Sequence, residues 1–581
     1  MKNTRRDIFK FAGGAVAGAF FTPAPWRLIT DTALWSENWP GIPRPARGEI
    51  RAKFTNCALC PAGCAVRARC VGEQPVSLAG VRGGLCPFGL SAHHLPFHPA
   101  RLKQGPIQEA TAAVAKRSPE GIAVLDLNPG RTVSWTYRRA MASLKGLYLA
   151  PDSQPVAYDL SAAKTVLSIG TPLLDGWGTP ANVIAARRNF HLIQAEAIES
   201  RTAVLADEWI PLAPGTERAF AQEILAALKG ERTSTVAKQL AADGTSLVLG
   251  DAPEIPEINR LLGAYGKTIV APSEAPVPES WTQSAAAITR LASVPDRSIR
   301  VLLIDESAAA SYIPWHLIEP KLTGDNPLVV TFAATRGGYA RHAQYALPIA
   351  VFPELTDDIA PAVDSVHPTF RISVPLVTPL AGLANPADFV GALAGVSASN
   401  SLRERADAIH KTGLGTVLTY ADGKETPVKD LTADAFWKSL TSGAKWDRPG
   451  YPLGRLSAPS LVGQAGYPLG PPANTPFSSP DLNLIAIREP HNPALGSPLM
   501  TKLYQESNLR LAPNRVALHP DEARAANLSN GARATLHTRI GWCPVEVTVD
   551  PAVPPGAVLV GSSPGIQDVC GPAARAKVVR A

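Results

Sequence analysis

The chain has 581 residues, a hydrophobic fraction of 45% and a charged fraction of 18%, as in ordinary globular proteins. This length exceeds what a single hydrophobic core supports, so several lobes are expected. The net charge of +7 comes from scattered Lys and Arg residues without a dense basic run, which predicts no nucleic-acid partner. The seven cysteines are an odd number, so at least one of them stays outside any intramolecular pairing.

The first residues carry the pattern of an export signal. Arg5 and Arg6 are followed by an acidic residue and apolar positions, as in twin-arginine signals, and a Gly- and Ala-rich apolar run extends from Phe11 to Phe21. This run is too short to span a bilayer, which needs about 20 apolar residues. We therefore predict a periplasmic, membrane-associated protein in which residues 1–30 are a signal or a retained tether. The alternative is a chance arginine pair before an ordinary helix.

A cysteine box follows the signal. Cys57, Cys60, Cys64 and Cys86 have the spacing C-x2-C-x3-C-x21-C. Three thiolates within eight residues can bind one side of a compact inorganic cluster, and the fourth can close it from another loop, which suits a [4Fe–4S] cluster. Structural zinc sites usually divide their ligands into two pairs. We predict that these four cysteines bind a [4Fe–4S] cluster in a lobe at residues 49–108, with zinc, disulfides or a decayed site as alternatives.

Other candidate ligands near the box fit less well. Cys70 is close enough in sequence to replace a ligand, but its spacing suits a cluster less. His93, His94 and His98 do not share one helical face, so we expect them to be surface or packing residues.

Short apolar strands alternating with helical stretches predict mainly parallel, Rossmann-like α/β lobes at residues 109–400. The predicted strands are 121–126, 164–170, 191–196, 246–250, 267–270, 301–304 and 327–331. After a helix from Trp135 to Gly146, residues 147–157 are expected to form a short loop. Residues 401–478 are rich in turns without a clear period, which predicts an irregular linker or insertion.

The chain changes character at its end, where residues 479–581 alternate between short β segments and tight turns. The predicted strands are 484–487, 515–518, 532–538, 545–549 and 558–560. This pattern indicates a small closed β-barrel. Cys543 and Cys570 lie in this region and are either a late pair or two buried thiols.

Motifs in consistent order resemble the molybdopterin oxidoreductases that bind a bis(pterin guanine dinucleotide) cofactor. They are the box from Cys57 to Cys86, the tail from His98 to Leu102, Ser134-Trp135, Gly170-Thr171, the AD-x-W and PGTE segment from Ala203 to Glu217, and Leu518 to Ala523 with Gly531 and Pro555-Gly556. The resemblance covers residues 50–580. It implies a multi-lobed α/β fold with an N-terminal Fe–S lobe, parallel α/β lobes and a C-terminal pterin-dinucleotide-type β-barrel.

Three departures from the family pattern concern the cofactor rather than the fold. Only 35 positions separate Trp135 from Gly170, where the family usually has a further βα unit that carries the molybdenum ligand. Ser153 could serve as a ligand, but nothing singles it out. Phe88 stands where the family often has Lys or Arg between cluster and pterin, and the turn at Glu196 replaces a guanosine-binding turn. These departures make bound molybdenum bis-pterin guanine dinucleotide doubtful.

Such losses are similar to those of the molybdopterin-like subunits of alternative complex III and of the periplasmic menaquinone reductase complex. Residues 158–164 and 499–507 are also similar to that branch. The resemblance implies an exported Fe–S subunit of a quinone-linked respiratory oxidoreductase, acting in electron transfer without catalytic molybdenum and without a catalytic residue of its own. The implied partners are a ferredoxin-like multi-cluster subunit and a membrane quinone-interacting subunit.

Two alternatives to this function remain. One is an active molybdenum reductase or dehydrogenase with a compact site, in which the protein positions the bound cofactor. The other is a non-redox structural subunit whose cluster or zinc only holds the N-terminal lobe together.

Overall fold

The computed structural model describes residues 5–21, 48–81, 83–98, 100–117, 120–151, 156–307, 312–451, 482–486, 514–561, 563–570 and 575–581. The first element is the α-helix Arg5–Phe21. Within these ranges, none of the helices combines the length and the apolar character that a membrane span requires.

The remaining described α-helices are mostly short. In chain order they are Pro87–Ser91, Ile107–Ala115, Thr132–Leu144, Pro180–Ala186, Arg201–Leu205, Glu217–Leu228, Thr235–Ala242, Ile255–Leu261, Glu279–Gln283, Trp315–Ile318, Pro386–Leu393, Ser401–Lys411, Ala433–Thr441, Pro520–Ala525 and Pro564–Cys570. Several begin at a side-chain cap; Ser200, for example, accepts hydrogen bonds from the backbone N–H groups of Thr202 and Ala203.

The N-terminal lobe is a three-stranded antiparallel sheet of β1 (Ile50–Asn56), β2 (Ala65–Val71) and β3 (Gln74–Gly80), paired in that order. Side chains of β2 alternate between buried and exposed, as a strand with one solvated face requires. Asn56 pairs with Ala65 across the first hairpin. The cysteine loop at residues 57–64 is therefore the connection of a hairpin, which fixes where it begins and ends.

An open sheet has six parallel strands in the order β12-β5-β4-β13-β14-β15. They are β4 (Ile122–Asp126), β5 (Leu147–Ala150), β12 (Ile288–Arg290), β13 (Val301–Asp305), β14 (Leu328–Ala333) and β15 (Tyr345–Pro348). The expected loop at residues 147–157 is wrong at its start. Leu147–Ala150 is a strand, because its apolar residues are buried beside β4 and complete a parallel crossover with the helix Thr132–Leu144.

A second parallel sheet has the order β10-β7-β8-β9. Its strands are β7 (Thr165–Ile169), β8 (His191–Glu196), β9 (Glu208–Pro211) and β10 (Ser246–Leu249). Two further strands, β6 (Ala157–Tyr158) and β11 (Ile269–Val270), form a separate antiparallel sheet. The α/β character expected from the alternating strands is confirmed in both lobes.

Residues 401–447 are not irregular, which corrects the expected linker at 401–478. They form the helices Ser401–Lys411 and Ala433–Thr441 and strands of a five-stranded sheet in the order β16-β17-β20-β18-β19. Its strands are β16 (Asp357–Asp358), β17 (Thr369–Ser373), β18 (Thr416–Thr419), β19 (Glu425–Pro427) and β20 (Ala444–Asp447). The sheet and helices bury a common apolar cluster that includes Phe370, Phe436 and Trp446. Residues 452–478 lie outside the described residues.

The C-terminal residues form a closed six-stranded barrel in the order β21-β25-β22-β24-β23-β26. Its strands are β21 (Leu482–Ala486), β22 (Arg515–Leu518), β23 (Arg533–His537), β24 (Trp542–Val549), β25 (Ala557–Val560) and β26 (Arg575–Arg580). The predicted barrel is confirmed, with β26 as an additional strand. Asp568 joins the barrel to the six-stranded lobe by accepting hydrogen bonds from the Tyr312 hydroxyl, 2.6 Å away, and from Arg341 Nη2, 2.5 Å away.

Candidate metal centre

The four predicted cysteine ligands lie around one pocket. Cys57, Cys60 and Cys64 are buried in the hairpin loop, and Cys86 is half-buried at the start of the helix Pro87–Ser91. The loop is closed by a backbone hydrogen bond of 2.8 Å from the N–H of Cys57 to the carbonyl of Cys64. This closure turns the three loop thiols toward the segment that carries Cys86.

The rest of the pocket wall is apolar. It consists of Leu59, Ala62, Gly63, Leu85, Phe88, Gly176 and Pro180. Gly176 and Pro180 belong to the second α/β lobe, so the pocket is completed across a lobe boundary. Gly84 permits this approach, since a Cβ there would lie 2.6 Å from the backbone nitrogen of Ala181. An apolar wall with four converging thiols is the donor set that an iron–sulfur cluster uses.

The four thiols line one cavity. Across the described ranges, no three His, Cys, Asp or Glu side chains are placed to share a single metal ion. Four cysteine thiolates are the ligand set of a [4Fe–4S] cluster, and tetrahedral zinc also accepts four thiolates. The donor set therefore fits either group.

The protonation of the thiols is controlled by burial and by their mutual repulsion. Burial, followed by repulsion from the other three, raises the pKa of the Cys57 thiol well above its usual value. Burial also raises the pKa of Cys64, to about 12, against an opposing effect of Arg371. Burial raises the pKa of Cys86 as well, while the backbone N–H groups of Gly89 and Phe88 act in the opposite direction. Since their pKa values are raised, these thiols are protonated at neutral pH, and metal binding would displace the protons.

Two side chains from distant parts of the chain hold the cysteine loop. The hydroxyl of Thr179 donates to the carbonyl of Ala62 at 3.0 Å. Arg371 Nη1 donates to the same carbonyl and to that of Gly63, both at 2.9 Å. Neither residue stands out in the sequence, because neither lies in a local motif and Arg371 is 309 positions from Ala62.

The neighbouring candidate ligands lie elsewhere. Cys70 is buried on β2 and is absent from the pocket wall. The rings of His93 and His94 pack against each other with centroids 4.0 Å apart. His98 accepts a hydrogen bond from the backbone N–H of Ala100 through its ring Nδ1. These histidines are packing residues, as expected.

The late cysteines are two separate buried thiols. Cys543 and Cys570 lie in the barrel core and are not bridged. Burial raises the pKa of Cys543 to about 11 and that of Cys570 to about 12. Both are therefore thiols rather than thiolates at neutral pH.

The tail of the cysteine lobe, predicted from its motif, has a structural role. Arg101 is buried and donates from Nη1 to Glu354 Oε1 at 2.7 Å and to the Pro96 carbonyl at 3.1 Å. A second contact joins Arg101 Nη2 to the other carboxylate oxygen of Glu354. This two-pronged ion pair ties the cysteine lobe to the six-stranded lobe, where Arg is better suited than Lys.

A second polar centre lies at the carboxyl edge of the six-stranded sheet. After β4 the chain continues to β5 on one side in the strand order, and after β13 it continues to β14 on the other side. The strand order therefore reverses between β4 and β13, and the crevice at their carboxyl ends is where open α/β sheets usually bind ligands. Here the fully buried Arg131 occupies that crevice. Its guanidinium lies 2.9 Å from Asp305 Oδ2, 2.5 Å from Asp357 Oδ2 and 3.5 Å from Asp126 Oδ1.

Hydroxyl groups complete this crevice. Asp126 Oδ2 accepts hydrogen bonds from Ser134 at 2.6 Å and from Tyr148 at 2.8 Å, and Asp305 accepts one from Tyr137 at 2.9 Å. Burial alone would lower the pKa of Arg131, but Asp357, Asp305 and Asp126 raise it well above its usual value. Three carboxylates around one guanidinium oppose a pyrophosphate group, which prefers N–H donors and positive charge. This edge does not fit a pterin dinucleotide.

The structure describes two of the other residues at which the sequence departs from the family pattern, Phe88 and Glu196. Phe88 lies in the wall of the cysteine pocket. Glu196 binds its own turn, accepting from the Ser200 backbone N–H at 3.1 Å and from Gln194 Nε2 at 2.9 Å. Ser153 and the similar segment at 499–507 lie outside the described residues.

No known family profile matches the chain. The chain is similar to the menaquinone reductase molybdopterin-binding-like subunit of Nitratidesulfovibrio vulgaris, with 29% identity over an alignment of 281 residues. The match covers 37% of this chain and 38% of that relative's own length. The fold of this chain is similar to that of acetylene hydratase from Pelobacter acetylenicus, with a TM-score of 0.62 and a sequence identity of 14%. The match covers 91% of this chain and 100% of the other. These comparisons confirm the resemblance to molybdopterin oxidoreductases and the fold expected from it.

Proposed function

We propose that this chain is an exported iron–sulfur subunit of a membrane-associated, quinone-linked respiratory complex. The observation that carries the proposal is the buried pocket lined by Cys57, Cys60, Cys64 and Cys86. The similarity to a menaquinone reductase subunit supports the quinone link. The expected partners are a ferredoxin-like multi-cluster subunit and a membrane quinone-interacting subunit.

The four cysteines would hold a [4Fe–4S] cluster, which when bound supplies reversible one-electron transfer. Leu59, Leu85 and Phe88 exclude water from the pocket. Backbone groups stabilise the thiolates, as the N–H of Gly89 does for Cys86 Sγ at 3.4 Å. Hydrogen bonding and burial of this kind set the potential of such a centre.

The edge of the pocket nearest to solvent is the expected route for electrons. Cys86 is half-buried while the other three cysteines are buried. Leu90 and Phe97, on the same segment, are 43% and 49% exposed. A redox partner that covers these residues would come closest to the cluster there.

A scaffold without catalytic molybdenum is supported by the crevice between β4 and β13. Arg131 and the carboxylates of Asp126, Asp305 and Asp357 occupy it with groups of the chain itself. The alternative of a compact molybdenum enzyme would need this network to open.

The test is metal and pterin analysis of the natively exported protein. We expect about four irons per chain, as one cubane contains, with substoichiometric zinc and molybdenum and no pterin. Stoichiometric molybdenum with pterin would refute the scaffold role, and stoichiometric zinc without iron would refute the cluster. A mediated redox titration then separates electron transfer from a purely structural cluster, because only the former requires reversible reduction.

Export is tested with a paired substitution in the signal. In the double variant Arg5→Lys and Arg6→Lys we expect the protein to accumulate in the cytoplasm, because the twin-arginine pair is the recognised element. Lys10→Arg, which leaves the pair intact, is the matched control. Unchanged periplasmic yield from the double variant would contradict twin-arginine export.

A further inference from the structure

Arg371 is a buried cation directed at the cysteine loop. It lies on β17 of the five-stranded sheet and is only 6% exposed. Its Nη1 contacts the carbonyls of Ala62 and Gly63, between the second and third cysteines of the box. The guanidinium is therefore beside the backbone that joins Cys60 to Cys64.

The contact depends on a residue without a side chain. Gly63 has a φ of +53°, and a Cβ there would lie 2.9 Å from Arg371 Nη1. The loop can therefore close directly onto the guanidinium, which any larger residue at this position would displace.

The charge of Arg371 is not neutralised by an ion pair. Among the described residues, no carboxylate oxygen lies within 4 Å of its guanidinium nitrogens, and its buried Nε has no hydrogen-bond partner. The carboxylate of Asp364 lies farther away and accepts hydrogen bonds from the Thr179 backbone N–H at 3.0 Å and from Asn182 at 3.2 Å. Arg371 still acts on it electrostatically, because it lowers the pKa of Asp364 against the larger effect of burial. A buried unpaired cation is costly in isolation, which implies that negative charge faces it when the pocket is loaded.

We propose that Arg371 is a positioning residue that fixes the cysteine loop and stabilises the negative charge added when the cluster is reduced, so that it raises the reduction potential. This inference rests on the proposed iron–sulfur function. Reduction by one electron adds one unit of negative charge to the pocket, and a nearby buried cation stabilises that charge more than an exposed one does. Phe88, two residues after Cys86, is uncharged. Arg371 on β17 instead places a positive charge beside the cysteine box.

Thr179 provides a matched control for the structural part of this role. Its hydroxyl binds the same Ala62 carbonyl but carries no charge. Thr179→Val therefore removes a loop contact and leaves the electrostatics unchanged. Arg201 controls for charge, because it is 49% exposed and paired with Asp175 on the Cys86 side of the pocket.

The experiment is a mediated redox titration of the iron-loaded protein, followed by electron paramagnetic resonance, in which the mediators supply and accept the electron. We expect a lower potential for Arg371→Gln, and potentials near wild type for Arg371→Lys and Thr179→Val. Arg201→Gln should give a smaller decrease that vanishes at high salt, whereas the decrease for Arg371→Gln should persist. Equal shifts in Arg371→Lys and Arg371→Gln, or equal shifts in Arg371→Gln and Thr179→Val, would overturn the proposal.

Iron content distinguishes the remaining outcomes. Loss of iron from Arg371→Gln but not from Arg371→Lys would support a requirement for positive charge at this position. Loss from Arg371→Lys and Thr179→Val alike would reduce the role to structural support and overturn the proposal. Wild-type protein without iron would instead refute the iron–sulfur function itself, and iron-loaded variants without any shift would refute the role of Arg371 alone.

Discussion

The cysteine pocket and the crevice between β4 and β13 are both buried and both carry ionisable groups, but they are completed differently. In the crevice, Arg131 and surrounding hydroxyls bind the carboxylates of Asp126 and Asp305. In the pocket, four thiols face an apolar wall, and the nearest buried cation, Arg371, is unpaired. The polar groups of the crevice therefore satisfy one another, whereas the thiols of the pocket are directed at a cavity.

The largest expected effect concerns the donors of the pocket. Cys60→Ala should lower the iron content from about four per chain, the content of one cubane, to below one, because three thiolates cannot close the cluster. Inductively coupled plasma measurements on purified protein check this. Cys70→Ala, which changes a buried cysteine outside the pocket wall, should retain its iron. Equal iron loss from both variants would contradict the assignment.

The next effect concerns the cation of the crevice. Arg131→Met should lower the free energy of unfolding by about 3–5 kcal/mol, because it leaves buried carboxylates without their counter-charge. Urea unfolding followed by circular dichroism measures the loss. Arg201→Met removes an exposed ion pair with Asp175 and should cost less than about 1 kcal/mol. If Arg131→Met also lowered the free energy of unfolding by less than about 1 kcal/mol, Arg131 would not be the counter-charge that the buried carboxylates of the crevice require.

A third prediction uses pH to probe the same edge. Glu306 follows β13, and burial raises its pKa to about 8 from 4.5, against the hydrogen bond from Thr331. Since the folded-state pKa is raised, the stability it contributes is complete below pH 4.5 and is lost as pH rises through 8. Its contribution to the free energy of unfolding should therefore fall by up to about 1.4 kcal/mol per pH unit in this window.

Glu306→Gln should remove the part of the slope that this residue supplies, as urea unfolding at several pH values would reveal. Asp357 supplies a further part in the same window, because burial also raises its pKa to about 8. The control is Glu257→Gln, because a hydrogen bond from Arg260 lowers the pKa of that exposed group and keeps it ionised throughout the window. A slope as steep in Glu306→Gln as in the wild-type protein would exclude Glu306 as a source.

The smallest effect concerns the loop contact from the second α/β lobe. Thr179→Val should lower the free energy of unfolding by about 1 kcal/mol, the typical value of one hydrogen bond, and should shorten the half-time of iron release to a chelator. Thr282→Val, which removes an exposed hydroxyl contact to the Glu279 carbonyl, should leave iron release unchanged. Unchanged release in Thr179→Val would show that the contact does not support the loop.

The features that the sequence predicted well are local ones. The spacing of Cys57, Cys60 and Cys64 places them in one loop. Continuous apolar runs such as 301–304, bounded by turns and alternating with helical stretches, are typical of buried parallel strands. The barrel could be predicted because its strands alternate and are separated by tight turns. The strand Arg575–Arg580 was not predicted, because three of its six residues, Arg575, Lys577 and Arg580, are charged.

The features that were missed depend on distant parts of the chain. The region at 401–447 contains strands of three or four residues, too short to show a period. They form a sheet by pairing with one another and, through β20, with β17. Arg131 and Arg371 resemble any other arginine in sequence. Their roles follow from the crevice and the loop against which the fold places them.

The carbonyl of Ala62 is contacted from the second α/β lobe by Thr179 and from the five-stranded sheet by Arg371. The pocket therefore exists only when these parts have docked on the cysteine loop. A group that binds only this docked form stabilises it in proportion to the logarithm of its concentration over its dissociation constant. Thermodynamic linkage then makes cluster retention a measure of tertiary assembly, so the colour of the loaded protein would report whether all three parts are in place.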